Sequence, residues 1–591
     1  MASFILLAFP LSVASSATLG VYWSSVHNDN AVLTAAFATT LDKSYSYFAD
    51  NLWVVSDTSV DGLVPLYFYA NAASNHHITT ASVEGNAFAK ANGYTLVGVQ
   101  GYVYAEKPAS PYAFPLEMWY QAARGDHFLV GTPLNRADAQ GAGYVFQYVD
   151  CYTVGGNFVV WPNTPPPGFP FPVSTDLTGF QYLEGGNAVP PGIRADTWYP
   201  SWAADGNLYS SWTDGVVDGV KSGSGGDAAT TGFAIITGDD PFNLSLSGVS
   251  TYVESAAPYQ GRYPSLNYYR DGVWYYGTYS LENYGAWYSP PPSCGNWCIL
   301  GPFCSIRTST DEGKTWTDLR RNMTSYDDNL FGETAFNNTK VRFGAAHAVD
   351  FGKNSEHAPG GQLYIVGTGA ETPESHQSWM QGDSVYLART TGVPDPLTVN
   401  TKAAWEFNAG GDTWVPDVEG ARPLFVWPGR TGVVTLTWWP ELSKFIMVIS
   451  TPSSGCSTVG NFDTYFLESD NLTGPFSLIT YLSAYGPEAY FVHLPTKFLG
   501  NVSASAAPAR KRAVNTPVPR GGTVTIDMTD AQVAAEANGT AAWANFFLSY
   551  SADFASGQPN PPGSGYHWSL QQSRFGVTAA FAERLARQKA K

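Results

Sequence analysis

The sequence predicts an all-β protein: an N-terminal β-trefoil-like repeat module followed by a β-propeller, five blades being the expected number. Aromatic residues make up 15% of the chain, Gly and Pro number 59 and 40, and charged residues reach only 14%. That balance describes many short aromatic strands joined by tight turns. The 591 residues supply material for several cores, and the 44% apolar share excludes disorder for most of the chain. A net charge of −18 excludes nucleic acid and anionic membrane surfaces as partners, since neither finds a basic stripe to hold it. A weakly charged, aromatic-rich surface suits uncharged ligands with flat apolar faces, sugars above all.

Residues 1–17 read as a signal peptide. Phe4 to Val13 is an apolar run, and Ser15-Ser16-Ala17 offers the small residues that a signal peptidase reads. Sequons at Asn243, Asn322, Asn337, Asn471, Asn501 and Asn538 fit a secreted, extracellular glycoprotein. No later stretch is apolar enough to span a bilayer. Cys294, Cys298 and Cys304 crowd one segment, with Cys151 and Cys456 elsewhere. Their spacing fits no zinc finger, so a local disulfide pinning a loop is expected, with no metal and no cofactor.

Residues 18–154 form the repeat module. Val64-Pro65-Leu66 to His77-Ile78-Thr79 lines up with Phe114-Pro115-Leu116 to His127-Phe128-Leu129, and a fainter copy starts at Gly20-Val21-Tyr22-Trp23. Units of this size must close on one another to bury an apolar face, and three copies suggest a trefoil-like closure. The segments Asn75-His76-His77 and Gly125-Asp126-His127 resemble the tandem modules with a Pro-Leu-Tyr-x-Tyr start and an Asp/Asn-His-Phe core that accompany extracellular enzymes and lectin-like domains. A residue repeated in each copy serves the repeat, so His77 and His127 are expected to tie turns.

Residues 155–189, with Pro165-Pro166-Pro167-Gly168, read as a Pro-rich linker. From 190 to 556 short Tyr/Trp/Val strands alternate with Asp-Gly and Asn-Gly turns, such as Arg270-Asp271-Gly272, which favours a propeller over one sandwich. Residues 557–591 form a tail with a short helix from Ala579. Ser309-Thr310-Asp311-Glu312-Gly313-Lys314-Thr315-Trp316 fits the aspartate box of sialidase-type propellers. Its physics is a hairpin turn, with Asp311 accepting backbone N–H bonds and Trp316 packing between sheets.

The segments Ala195-Asp196-Thr197-Trp198-Tyr199-Pro200-Ser201-Trp202, Thr237-Gly238-Asp239-Asp240-Pro241, Ala421-Arg422-Pro423 and Trp438-Trp439-Pro440-Glu441-Leu442-Ser443 resemble a propeller family that includes the mycobacterial-type endo-D-arabinanases. The resemblance covers roughly 190 to 556 and implies a glycosidase-like scaffold related in shape to five-bladed furanosidases. The insertion from Cys294 to Cys304 departs from it. One scaffold of this kind hosts hydrolases, lyases and non-enzymes, so chemistry must be argued from residues.

Gly-x-Ser-x-Gly, phosphate-loop and His-Glu-x-x-His motifs are absent from the sequence. Carboxylates remain. Glycoside cleavage needs two, about 5–10 Å apart, one protonating the leaving oxygen and one acting as base or nucleophile. Asp196 is the first candidate, with a place like that of the base in related furanosidases; a hydrogen-bonding role in closing the blade is the equal alternative. Glu488 and Asp350 compete for the second place, each with a solvated surface acid as the plainer reading. Asp205 and Asp214 sit at Gly turns and read as turn residues. Arg262, Arg422, His347 and His493 are candidate substrate contacts, and Trp198, Trp202 and Trp438 candidate sugar platforms, although most of 19 Trp must be core. Three functions follow in order: a secreted glycoside hydrolase on a polysaccharide or glycan, a non-catalytic glycan binder, and a lyase on a uronic-acid polymer using His347 or His493 with a Tyr.

Overall fold

A computed structural model describes residues 17–108, 113–154, 158–161, 165–188, 190, 193–282, 299–317, 328–333, 340–369, 379–454, 460–487, 490–504, 514–518, 522–526, 540–551 and 567–589. The chain divides into two units, 1–156 and 157–591. Both are mostly β-sheet.

Unit one holds three copies of one ββαβ arrangement. The strands are β1 (Thr18–Ser24), β2 (Asp29–Thr34), β3 (Ser46–Trp53), β4 (Val64–Asn71), β5 (His76–Thr80), β6 (Thr95–Val103), β7 (Ala113–Gln121), β8 (Asp126–Val130) and β9 (Val145–Val154). They make three antiparallel sheets, ordered β2-β1-β3, β5-β4-β6 and β8-β7-β9. Between the second and third strand of each copy lies a helix: α1 (Ala35–Ala38), α2 (Val83–Ala91) or α3 (Pro133–Gly141). Helix is therefore found in this unit as well as in the C-terminal tail. Local chemistry starts the helices, because Ser82 Oγ accepts from Gly85 N at 3.0 Å and Thr132 Oγ1 from Asn135 N at 3.1 Å.

The copies are joined in a cycle by one polar residue on each third strand. Asn51 Nδ2 of the first copy donates to Leu129 O of the third (2.7 Å). Gln100 of the second accepts from Thr34 N of the first (2.8 Å), and Asp150 of the third accepts from Thr80 Oγ1 and Ala81 N of the second (2.6 Å each). A second ring runs through the strand starts. His77 Nδ1 meets Asp29 Oδ2 at 2.8 Å, Asn30 N donates to Asp126 Oδ2 at 3.1 Å, and His76 Nδ1 meets Gly125 O at 3.2 Å. His77 thus ties repeat to repeat, and its ring stacks on Phe68. Burial and the neighbouring Asp29 push the Asp126 carboxyl well above its ordinary range.

In unit two, antiparallel meanders follow one another along the chain. The first pairs Ile193–Asp196, Leu208–Val217, Thr230–Thr237 and Ser245–Val253. The second (Gly261–Arg270, Val273–Glu282, Ile299–Ser309) and the third, which starts at Gly344–Ala348, share an edge through the single pair Pro302–Gly344. The fourth runs from Val433–Trp439 to Ser477–Pro487. The fifth joins both ends of the unit, in the order Phe158–Val160, Leu177–Ala188, Ser569–Thr578, Thr540–Ser551 and Tyr490–His493. The stretch expected as a linker therefore supplies two strands, and the expected tail supplies another before the helix Ala579–Lys589. Arg574 Nε and Nη2 seal the seam by donating to Gln181 Oε1 at 2.9 and 2.7 Å.

Turn chemistry fixes the hairpins. Asp271 and Gly272 both take positive φ (+49° and +82°), as a two-residue turn with the twist of its strands requires. In the aspartate box, Asp311 accepts from Thr315 N and Oγ1 at 2.9 and 2.6 Å, which holds its carboxyl down at about 2, and Trp316 packs on Phe233.

The cyclic clasp of unit one yields a prediction. Asp150 is 3% exposed, so Asp150→Ala strands the Thr80 and Ala81 donors and should destabilise this unit by about 2–3 kcal/mol, while Asp150→Asn should cost less. Denaturant unfolding of the full chain measures both; equal midpoints for Ala and Asn would contradict the clasp.

Candidate active site

Asp196 ends the first strand of its sheet and is 5% exposed. Thr197 Oγ1 donates to Asp196 Oδ1 at 2.7 Å, and Thr197 itself is held at φ +64°, costly for a β-branched residue. Trp198 enforces that turn. Its Nε1 donates to Ala195 O at 2.8 Å while its fully buried ring stacks on Trp212.

Across the sheet, Asp196 is paired with Thr213, and the register slips before Arg194 pairs with Val216. Asp214 is the residue at that bulge, with φ +51°. A Cβ on Gly215 would lie 1.8 Å from Arg194 O, so this glycine allows close approach of two strands and does not make a hairpin turn. That corrects the turn role expected of Asp214. The charges of Asp214 and Asp196 both raise the phenols of Tyr263 and Tyr279, beside the burial that is the larger cause. Burial raises the Asp214 carboxyl above its ordinary range, against hydrogen bonds donated by Ser224 N and Oγ at 2.7–2.8 Å.

A second grouping lies where the first strands of successive sheets meet. Gly261–Arg270 touches Gly344–Ala348, which touches Val433–Trp439, which touches Tyr490–His493. Between them is a cavity of about 40 Å³ lined by Tyr199, Asn267, His347, Asp350, Thr437 and His493 among others. It has room for about three waters. The Tyr199 ring lies 3.9 Å from that of His347 and 5.5 Å from that of His493, centroid to centroid. His347 Nδ1 donates to Val434 O at 3.0 Å. Burial lowers the two imidazoles to about 3 and about 4, so both are neutral. Tyr199 Oη and His493 Nε2 meet no partner among the described residues.

His347 and Asp350 line one cavity although they stand three apart, because the strand ends at Ala348 and the chain crosses to the next sheet, with Asp350 N donating to Leu436 O. Burial raises the Asp350 carboxyl above its ordinary range, against hydrogen bonds at both of its oxygens. Oδ1 accepts from Thr496 Oγ1 (2.7 Å) and Gly352 N (3.0 Å), and Oδ2 from Thr496 N (2.9 Å), so it pins the segment after the last first-strand. Glu488 lies outside the described residues.

The other candidates are scattered. Trp198 is core, Trp202 is half-buried beneath Lys353, and Trp438 packs on Phe445. Arg422 is exposed away from the cavity, and Arg262 is buried elsewhere. Asn243 and Asn471 are exposed; Asn322, Asn337, Asn538 and the side chain of Asn501 lie outside the described residues. Cys304 and Cys151 are free buried thiols, so Cys304 is not part of the expected disulfide, while Cys294, Cys298 and Cys456 lie outside the described residues.

The two histidines set an acid limit. Unfolded, each binds its proton near pH 6.5; folded, neither does until about pH 3–4. Unfolded chain therefore gains protons first, and the stability present above pH 6.5 is lost as pH falls towards 4. His347→Gln should lower Tm at pH 7.5 but flatten its decline between pH 6.5 and 4.5. An unchanged slope in thermal melts would contradict the neutral buried imidazole.

No family model matches the chain, and no curated protein matches it. Among solved structures it is similar to an α-L-arabinofuranosidase from Podospora anserina, at 9% identity over 72% of this chain and 98% of that one, with a TM-score of 0.29. A family 117 glycoside hydrolase from Zobellia galactanivorans gives 10% identity, coverages of 72% and 92%, and a TM-score of 0.30. A GH43_1 enzyme from Xanthomonas citri gives 9% identity, coverages of 66% and 89%, and a TM-score of 0.30. At that distance the neighbours decide nothing about chemistry, which rests on this chain's own residues.

Proposed function

We propose that the chain is a secreted glycoside hydrolase acting on a polysaccharide or glycan, with unit two a five-bladed propeller and Asp196 and Asp214 its working carboxylates. The observation that carries this reading is a buried Asp196 beside a strained Thr197, with the carboxylate Asp214, raised by burial, on the neighbouring strand one residue past the Asp196–Thr213 pair. Strain next to a buried acid marks functional sites more often than structural ones.

In this reading Asp214, whose carboxyl burial raises above its ordinary range, gives its proton to the leaving oxygen. Asp196 is the base or nucleophile, oriented by Thr197 Oγ1.

Reducing-sugar release from arabinans, galactans and uronate-containing polymers tests the function. On the polymer that is cut, Asp196→Asn and Asp214→Asn should each lower kcat by about 10²–10⁴-fold with Tm nearly unchanged. Full activity in either variant removes that residue from the mechanism. Glycan binding without any released reducing end removes the hydrolase reading altogether.

A further inference from the structure

Unit one carries a buried pair of carboxyl groups. Asp29 opens the second strand of the first copy and Asp126 opens that of the third, while His76 holds the same place in the second. Both acids are 0% exposed. Their carboxyls are hydrogen-bonded to one another across the junction between copies one and three. Two carboxylates hold no hydrogen, so this contact requires a proton.

The surrounding donors say which oxygen carries it. Asp29 Oδ1 accepts from His77 N at 3.1 Å, and Oδ2 from Tyr45 Oη and His77 Nδ1 at 2.6 and 2.8 Å. Asp126 Oδ2 accepts from Asn30 N at 3.1 Å and from Tyr144 Oη. Asp126 Oδ1 meets no donor among the described residues. The charges agree with this. His77 supplies at most one positive charge, and its ring is turned to Asp29. Burial first, then the Asp29 charge, holds the Asp126 carboxyl well above its ordinary range, against hydrogen bonds from Tyr144 and Asn30; no cation is among these causes. Arg124 lies over the Trp23 and Tyr144 rings, 5.2 and 5.9 Å from their centroids, and Asp42, which acts on Tyr45, is paired with His27 at 2.7 Å. Burial raises the phenols of Tyr45, Tyr94 and Tyr144, which stay protonated, and lowers His127 to about 4, which keeps it neutral.

We propose that Asp126 and Asp29 share one proton, carried on Asp126 Oδ1, and that this proton is a pH-sensitive latch between the third copy and the first. Losing it sets two bare carboxylates against each other in the protein interior, and the junction loosens. Unfolded, Asp126 releases its proton at about pH 4; folded, it keeps the proton to higher pH. The folded chain binds one proton more over that interval, so stability that is complete below pH 4 is lost as pH rises. The latch has the opposite sign to the acid limit set by His347 and His493, and it is independent of the glycosidase reading.

Hydrogen exchange of the full chain, followed by mass spectrometry in peptides from β2 and β8 and corrected for the intrinsic rate, reads the latch. As pH is raised from about 5 to about 8, the opening equilibrium of these strands should rise in the wild type, by up to about tenfold per unit. Asp126→Asn puts an amide N–H where the proton was, and the amide keeps its hydrogens throughout this range. It should abolish the rise and exchange more slowly than wild type at the alkaline end. Asp29→Asn turns an amide onto the donors of Tyr45 and His77 and should exchange faster throughout. Wild-type protection that stays flat with pH overturns the proposal, as does Asp126→Asn less protected than wild type at the alkaline end, or Asp29→Asn as well protected as Asp126→Asn. The wild-type series decides even where a variant fails to fold.

Discussion

Unit two depends on one seam. Its sheets are meanders whose strands pair with near neighbours in sequence, but the fifth requires Leu177–Ala188 to lie against Ser569–Thr578. Without that pairing, the strand row of the last sheet ends in open N–H and C=O groups. The seam is built accordingly. Arg574 forks onto Gln181, Gln571 Nε2 donates to Leu183 O, and Phe180 and Phe575 pack together with Phe466 and Phe546. Beside it, Lys444 binds Asp176 and Glu468 at 2.6 and 2.8 Å, fixing the approach to the strand by buried ion pairs. A mispaired seam would leave Asp176 as an unanswered buried charge, so the pairing sets register as well as closure.

The placement of Asp196 follows from this frame. It stands directly after the seam strand, in a sheet whose Trp198 and Trp212 are core, and the chain turns at Thr197 beside those stacked rings. The same packing keeps ionisable groups neutral where they cannot be paired, as with His347 and His493, and raises the carboxyl of Asp214 where they can be only partly paired. Burial is the common cause. Its effect differs with the hydrogen bonds each group finds.

What was legible in the sequence was local. Strands, the Asp271-Gly272 turn and the aspartate box depend on a few consecutive residues, and composition alone indicates all-β. The helices α2 and α3 were missed because nine-residue segments inside an aromatic strand repeat carry little periodicity of their own. Asp214-Gly215 spells a turn but sits in a strand, since the glycine answers a crowding by Arg194 O that lies outside its own neighbourhood in sequence. Trp198 could be read as platform or core until its neighbours were known. The seam was illegible for the same reason, and the segments that form it were assigned to a linker and a tail.

That seam has a consequence for the order in which the chain can fold. Gln181 and Arg574 are separated by 393 residues. A ribosome adding about 5–20 residues per second leaves the earlier strand waiting on the order of 20–80 s for its partner. During that time four meanders can form locally while the edge of Leu177–Ala188 stays open to wrong partners, including the same edge on a neighbouring nascent chain. Yield of the full chain is thus governed by how well that one strand is kept apart during synthesis, more than by the stability of the finished molecule.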